Sequence, residues 1–183
     1  MDIRLKHLIS AVIFSFFLSA CVLQYPAVNS DKKQQAAKAR IELALSYLYQ
    51  NQFELAKLNL DKALGHDANY YLVYSAFAYF YQRQGEVEKA RQAYLTSIKL
   101  DAKQGDVHNN FGVFLCSQQE YEKAFEHFYL ALSASNYYSQ ADTYENIALC
   151  AFAVKQLDIF RQALQSLQKL DAQRAQKLEQ VLK

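Results

Sequence analysis

Apolar and small residues along this chain recur with a helical period inside segments of about a dozen residues, and the segments themselves repeat. Ala56, Ala90 and Ala124 are 34 residues apart, and Phe53-Glu54-Leu55-Ala56, Val87-Glu88-Lys89-Ala90 and Tyr121-Glu122-Lys123-Ala124 surround them in one register. Leu43-Ala44, Phe77-Ala78 and Phe111-Gly112 precede them at the same interval, and Ala63, Ser97 and Ala131 follow. Two amphipathic stretches per period predict an antiparallel helix pair per unit. Small residues at the eighth and twentieth positions let the two backbones approach. Large ones at the twenty-fourth (Leu60, Tyr94, Phe128) fill the space between neighbouring pairs. One pair cannot bury its own stripe, so pairs must stack.

This pattern resembles the tetratricopeptide repeat and implies an all-α solenoid. The repeats fall at about 37–70, 71–104, 105–138 and 141–172, with a capping helix at 173–183. The usual Pro near the end of each unit is absent, and Asp67-Ala68 and Asp101-Ala102 stand there. The fourth unit is displaced by two residues, which lie in Ser133 to Ser139, and Phe160 occupies its twentieth position, so its helices are expected to splay. One Pro and four Gly, against 14 Tyr and 12 Phe, agree with a helical protein rich in aromatic contacts.

The first helices of such a stack line its concave face through positions 5, 9, 12 and 13. These are Ile41, Leu45, Leu48 and Tyr49, then Ser75, Tyr79, Gln82 and Arg83. Next come Asn109, Val113, Cys116 and Ser117, and last Glu145, Leu149, Phe152 and Ala153. They predict an apolar, aromatic lane suited to a protein partner offering an amphipathic helix or an extended segment. Individual lane residues have a second reading, in which they pack against a neighbouring helix.

The N-terminus predicts export. A short basic segment, Met1 to His7, precedes eleven mostly apolar residues, Leu8 to Leu18, too few for a permanent span of about 20. Leu18-Ser19-Ala20-Cys21 resembles the lipobox of bacterial lipoproteins. The resemblance implies cleavage after residue 20 and lipidation of Cys21, with residues 21–33 as a tether. Val22, where an Asp would signal retention in the inner membrane, points to the outer membrane and a periplasm-facing domain. An ordinary signal peptide with an incidental cysteine is the competing reading.

With Cys21 lipidated, Cys116 and Cys150 form an even pair in an oxidising compartment and are expected to bond across the seam of repeats three and four. Two buried free thiols are the alternative. No cofactor or metal is expected. Two cysteines cannot complete a zinc site, and His66, His108 and His127 read as scattered, solvated side chains. A net charge of +2 gives no footprint for nucleic acid. No catalytic triad, phosphate loop or inward carboxylate pair is visible, so the chain reads as a scaffold and not an enzyme.

One stretch is more specific than the repeat pattern. Asn109-Asn110-Phe111-Gly112-Val113-Phe114-Leu115-Cys116 and Tyr144-Glu145-Asn146-Ile147-Ala148-Leu149-Cys150-Ala151 bracket the connection through Tyr137-Tyr138. Together with the lipobox, these segments resemble the PilW (PilF) family of type IV pilus biogenesis and stability lipoproteins. The resemblance covers about residues 37 to 170. Here the family's connecting Pro is either replaced by Ser139 or absent, and four repeats stand against its usual six or so. The resemblance implies an outer-membrane pilotin whose partner is the pilus secretin subunit. The runner-up is a general periplasmic adaptor that recruits peptidoglycan enzymes or barrel-assembly factors.

Replacing Cys21 with Ser is expected to leave an uncleaved or mislocalised protein without an acyl label. Normal outer-membrane fractionation of that variant would contradict the lipid anchor.

Overall fold

The computed structural model describes residues 26–182. Nine α-helices and no strand occur among them: α1 (Pro26–Tyr49), α2 (Phe53–His66), α3 (Tyr71–Arg83), α4 (Val87–Leu100), α5 (Gly105–Ser117), α6 (Tyr121–Ser133), α7 (Gln140–Ala153), α8 (Leu157–Leu170) and α9 (Ala172–Val181). Consecutive pairs, α1–α2 to α7–α8, form four hairpins. The hairpins stack with α1, α3, α5 and α7 side by side, and α9 packs on α8. The fold is the expected tetratricopeptide-type solenoid.

Each hairpin turns in the same way. Asn51, Gly85, Gln119 and Lys155 take left-handed φ values of 57°, 76°, 63° and 60°. The next N–H then reaches back to the last turn of the first helix: Gln52 to Tyr47, Glu86 to Tyr81 and Gln156 to Ala151 at 2.9 Å, and Glu120 to Leu115 at 3.0 Å. This six-to-one bond satisfies a carbonyl that the ending helix would otherwise orphan. Three of the four turns use a residue with a side chain, so glycine alone did not mark them. Between repeats the missing Pro is replaced by an aspartate turn. The Asp67 carboxylate accepts the Asn69 N–H at 2.9 Å, and Asp101 accepts that of Lys103 at 3.0 Å.

The small positions are the tightest part of the core. Ala44, Ala78 and Ala148 on the first helices, and Ala56, Ala90 and Ala124 on the second, are wholly buried. A Cβ added to Gly112 would stand 2.7 Å from the Phe128 ring and 3.1 Å from the Ala124 carbonyl, so only glycine fits there. Leu60, Tyr94 and Phe128 fill the layer between hairpins.

The ends depart from expectation. Residues 26–33, expected as tether, already belong to α1. Pro26 sits at the first helical position, where its missing N–H costs nothing, and the Ala, Gln and Lys residues that follow favour helix. Cys21 and the leader lie outside the described residues. In repeat four Phe160 is half-buried and leans on Phe152, with ring centroids 5.5 Å apart, while Leu167 fills the core where other repeats have Ala or Ser. The two inserted residues carry Tyr137 inward. Its ring covers Gly105, where a Cβ would come within 2.6 Å of it. Its hydroxyl meets the Thr143 hydroxyl at 2.7 Å. Thr143 in turn donates to Asn109 Oδ1 at 2.9 Å.

Cys116 and Cys150 are disulfide-bonded across α5 and α7, with Cα atoms 6.1 Å apart. Closing a loop of 34 residues is worth about 3–4 kcal/mol in chain-entropy estimates.

His108 and His127 are not solvated. They occupy the fourth and twenty-third positions of repeat three, which hold a hydrogen-bonded Arg40–Asn59 pair in repeat one and Tyr with Ala in repeats two and four. His108 Nε2–H donates to the Ala102 carbonyl at 3.0 Å. Its Nδ1 must then accept from His127 Nδ1–H, 2.9 Å away. Burial lowers the His127 pKa from its usual 6.5, and proximity to His108 lowers it further, against a small opposing pull from Glu126.

Two outcomes follow from this packing. Replacing both Cys116 and Cys150 with Ser is expected to lower the melting temperature by about 10 °C; an unchanged melting curve would contradict a structural bond. The depressed His127 pKa means the unfolded chain takes up protons first. The pair's contribution is therefore present above about pH 6.5 and lost as pH falls below it. A His108→Tyr, His127→Ala variant, copying repeats two and four, should lose less melting temperature than wild type between pH 7.5 and 5.5 (the span across about 6.5, where an ordinary His charges). Equal losses would count against the pair.

Candidate binding groove

Four first helices, held side by side, present one concave face. Its best-formed part is a cleft of about 290 Å³ across α1, α3 and α5. Ile41, Leu45 and Tyr49 form one wall, Ser75, Tyr79 and Gln82 the middle, Asn110 and Val113 the other wall, and Tyr94 of α4 the floor. Tyr49 is 74 % exposed, so a large aromatic surface stands free at the rim. Leu149 and Phe152 continue the apolar exposure on α7, outside the cleft.

The polar groups of the cleft are oriented. The buried Tyr94 hydroxyl donates to Gln82 Oε1 at 3.2 Å, which leaves the Gln82 amide hydrogens free to donate. Burial first, then the neighbouring Tyr79, pushes the Tyr94 pKa far above its usual value, so it stays a neutral donor. Tyr79 accepts from Arg83 at 3.3 Å. No side chain lining the cleft is charged.

Leu48 and Asn109, both expected in the groove, are buried. Leu48 is completely buried, because an aliphatic side chain at the α1 seam is covered by the helices stacked on it. Asn109 is 8 % exposed, and its Oδ1 is consumed by Thr143 and by Asn146 Nδ2 at 3.0 Å. It ties α5 to α7 and offers nothing to a ligand. Asn110, the next residue, takes its place in the cleft, and Leu72, Ala76 and Tyr94 join it unanticipated. The period locates each helix, but a helix face shifts by 100° per residue, so a one-position error of phase exchanges Asn109 for Asn110. Cys116 is half-buried and tied up in its disulfide. Glu145 is bonded to Arg174 of α9, whose guanidinium also holds Asp142 at 2.6 Å. Among the described residues no group of three or more His, Cys, Asp or Glu could hold a metal ion, and no helix is long and apolar enough to cross a membrane.

No family model matches the chain. An uncharacterized protein of Haemophilus influenzae is 57% identical over 169 residues, covering 92% of this chain and 93% of that protein. The type IV pilus assembly protein PilF of Pseudomonas aeruginosa is 30% identical over 141 residues, 75% of this chain and 56% of its own length. The solved structure of P. aeruginosa PilF superposes with a TM-score of 0.71 at 28% identity, over 77% of this chain and 64% of that one. That of PilW, a type IV pilus biogenesis factor, gives 0.68 at 20% identity, over 74% and 62%, and supports the fold alone. The chain thus spans less than two thirds of these pilus proteins. It belongs to one family with the H. influenzae protein, a family of tetratricopeptide-repeat proteins related over its repeats to the type IV pilus protein PilF.

Proposed function

We propose that this protein is a binding scaffold of type IV pilus biogenesis, anchored in the outer membrane through a lipidated Cys21 and facing the periplasm. There it assists the localisation and multimerisation of the pilus secretin. The observation that carries the reading is the relationship to PilF through the very repeats that build the cleft. A pre-formed concave site, mostly apolar with a few oriented donors, is what recognition of a polypeptide segment needs. No chemistry is assigned to the cleft: its lining offers three tyrosine hydroxyls, a serine and two amides, with no base beside a nucleophile. The disulfide and the Asn109 network hold α5 against α7.

The cell-level test is deletion of the gene, followed by complementation with wild type or a Tyr79→Glu variant. Deletion should shift the secretin from heat-stable multimers to monomers and abolish surface pili. Wild type should restore both, and Tyr79→Glu should not, at unchanged helicity. Normal multimers and motility in the deletion strain would overturn the pilus reading in favour of a general envelope adaptor.

A further inference from the structure

Two of the residues at the groove positions carry a charge, Arg83 and Glu145. They differ in what surrounds them. Glu145 is already paired with Arg174, which reaches across from α9. Arg83 meets neutral acceptors: its Nη2 donates to Asn51 Oδ1 at 2.7 Å, and its Nη1 to the Tyr79 hydroxyl at 3.3 Å. Its guanidinium also lies 5.9 Å from the centre of the Tyr79 ring. Tyr79 lines the cleft, and Asn51 lies in the turn after α1. The cation is therefore held in place, half-buried, beside a cleft that carries no charge of its own.

We propose that Arg83 reads the partner's charge: the segment bound in the cleft places a large uncharged side chain between Tyr49, Tyr79 and Val113, and an Asp or Glu side chain beside it on the Arg83 guanidinium. This rests on the groove being the binding surface and names the chemistry of what it takes. A guanidinium oriented by neutral partners keeps N–H groups free for a carboxylate, and such charge-assisted bonds are strong and directional. The uncharged lining penalises a charge inserted into the cleft itself, because nothing there would pair it. The same guanidinium would repel a basic side chain at the rim. Arg83 also sits in the last turn of α3, where a cation favours the helix end. That structural role does not depend on the sign of a bound peptide, so a charge swap separates the two.

The experiment is selection from a random-peptide library, displayed with blocked C-termini, against the full-length protein in detergent and against its Arg83→Glu variant. Circular dichroism would confirm that the variant keeps its helicity. Wild type should enrich peptides with Asp or Glu next to a large apolar residue, and Arg83→Glu should enrich Lys or Arg there instead. An Arg83→Gln variant should bind the wild-type peptides at least about tenfold more weakly, the cost of losing a charge-assisted bond. Peptides that depend on Leu45 and Tyr79 but are the same for wild type and Arg83→Glu would overturn this inference and leave the groove reading intact. A failure of either protein to enrich any peptide sensitive to Leu45 or Tyr79 would overturn both.

Discussion

The structure depends on how closely two helices of one repeat can approach. Gly112 faces the Ala124 carbonyl and the Phe128 ring at distances that leave no room for a methyl group. Alanine pairs hold the corresponding places in repeats one and two. Close approach leaves each hairpin too thin to bury its own large side chains, so Leu60, Tyr94 and Phe128 must be covered by the next hairpin. Stacking follows, and with it the row of first helices that makes a concave face. The cleft is a by-product of that geometry: Tyr94 fills the layer between hairpins and at the same time forms the cleft floor.

Where the repeat loses its regularity, long-range ties take over. The fourth hairpin lacks the close-packed alanine at its twentieth position and follows a longer connection. Side-chain contacts tie it to the third hairpin and to the capping helix. The disulfide joins α5 to α7, the Tyr137–Thr143–Asn109 chain plugs the connection into the core, and Arg174 clamps α9 onto α7. The disulfide, the Thr143–Asn109 bond and the Arg174 clamp each join side chains 32 or 34 residues apart, so they constrain the assembled stack. The buried hydrogen bonds among them are fully partnered: no buried side-chain polar atom among the described residues lacks a partner.

Much of this is legible in the sequence, and the physical reason is periodicity. A 34-residue interval of small and large residues specifies hairpins, their register and the side that faces inward, because the same packing problem is solved again in each unit. The cysteine pair is legible for the same reason, since equivalent places in adjacent repeats become neighbours in space. What escapes is anything decided by a single local pairing. Leu48 and Asn109 read as groove residues by position, but burial of one and a hydrogen-bond network around the other remove them from the surface. His108 and His127 look unrelated at 19 residues apart, yet they face each other across one hairpin. The Arg40–Asn59 bond at the same two positions of repeat one is the signal that could have paired them. The start of α1 escapes because a polar helix turn and a polar tether have similar composition.

The proposed function rests on the concave face acting as the contact surface for the pilus secretin. The most direct measurement is site-specific photo-crosslinking in living cells. A photoreactive residue would replace Tyr79 or Leu45 in the cleft, with Leu95, exposed on the second helix of repeat two, as the comparison. The products would be identified by mass spectrometry. The account predicts adducts with the secretin subunit from Tyr79 and Leu45 and none from Leu95. Secretin adducts from Leu95 alone, or cleft adducts that never contain the secretin, would contradict it.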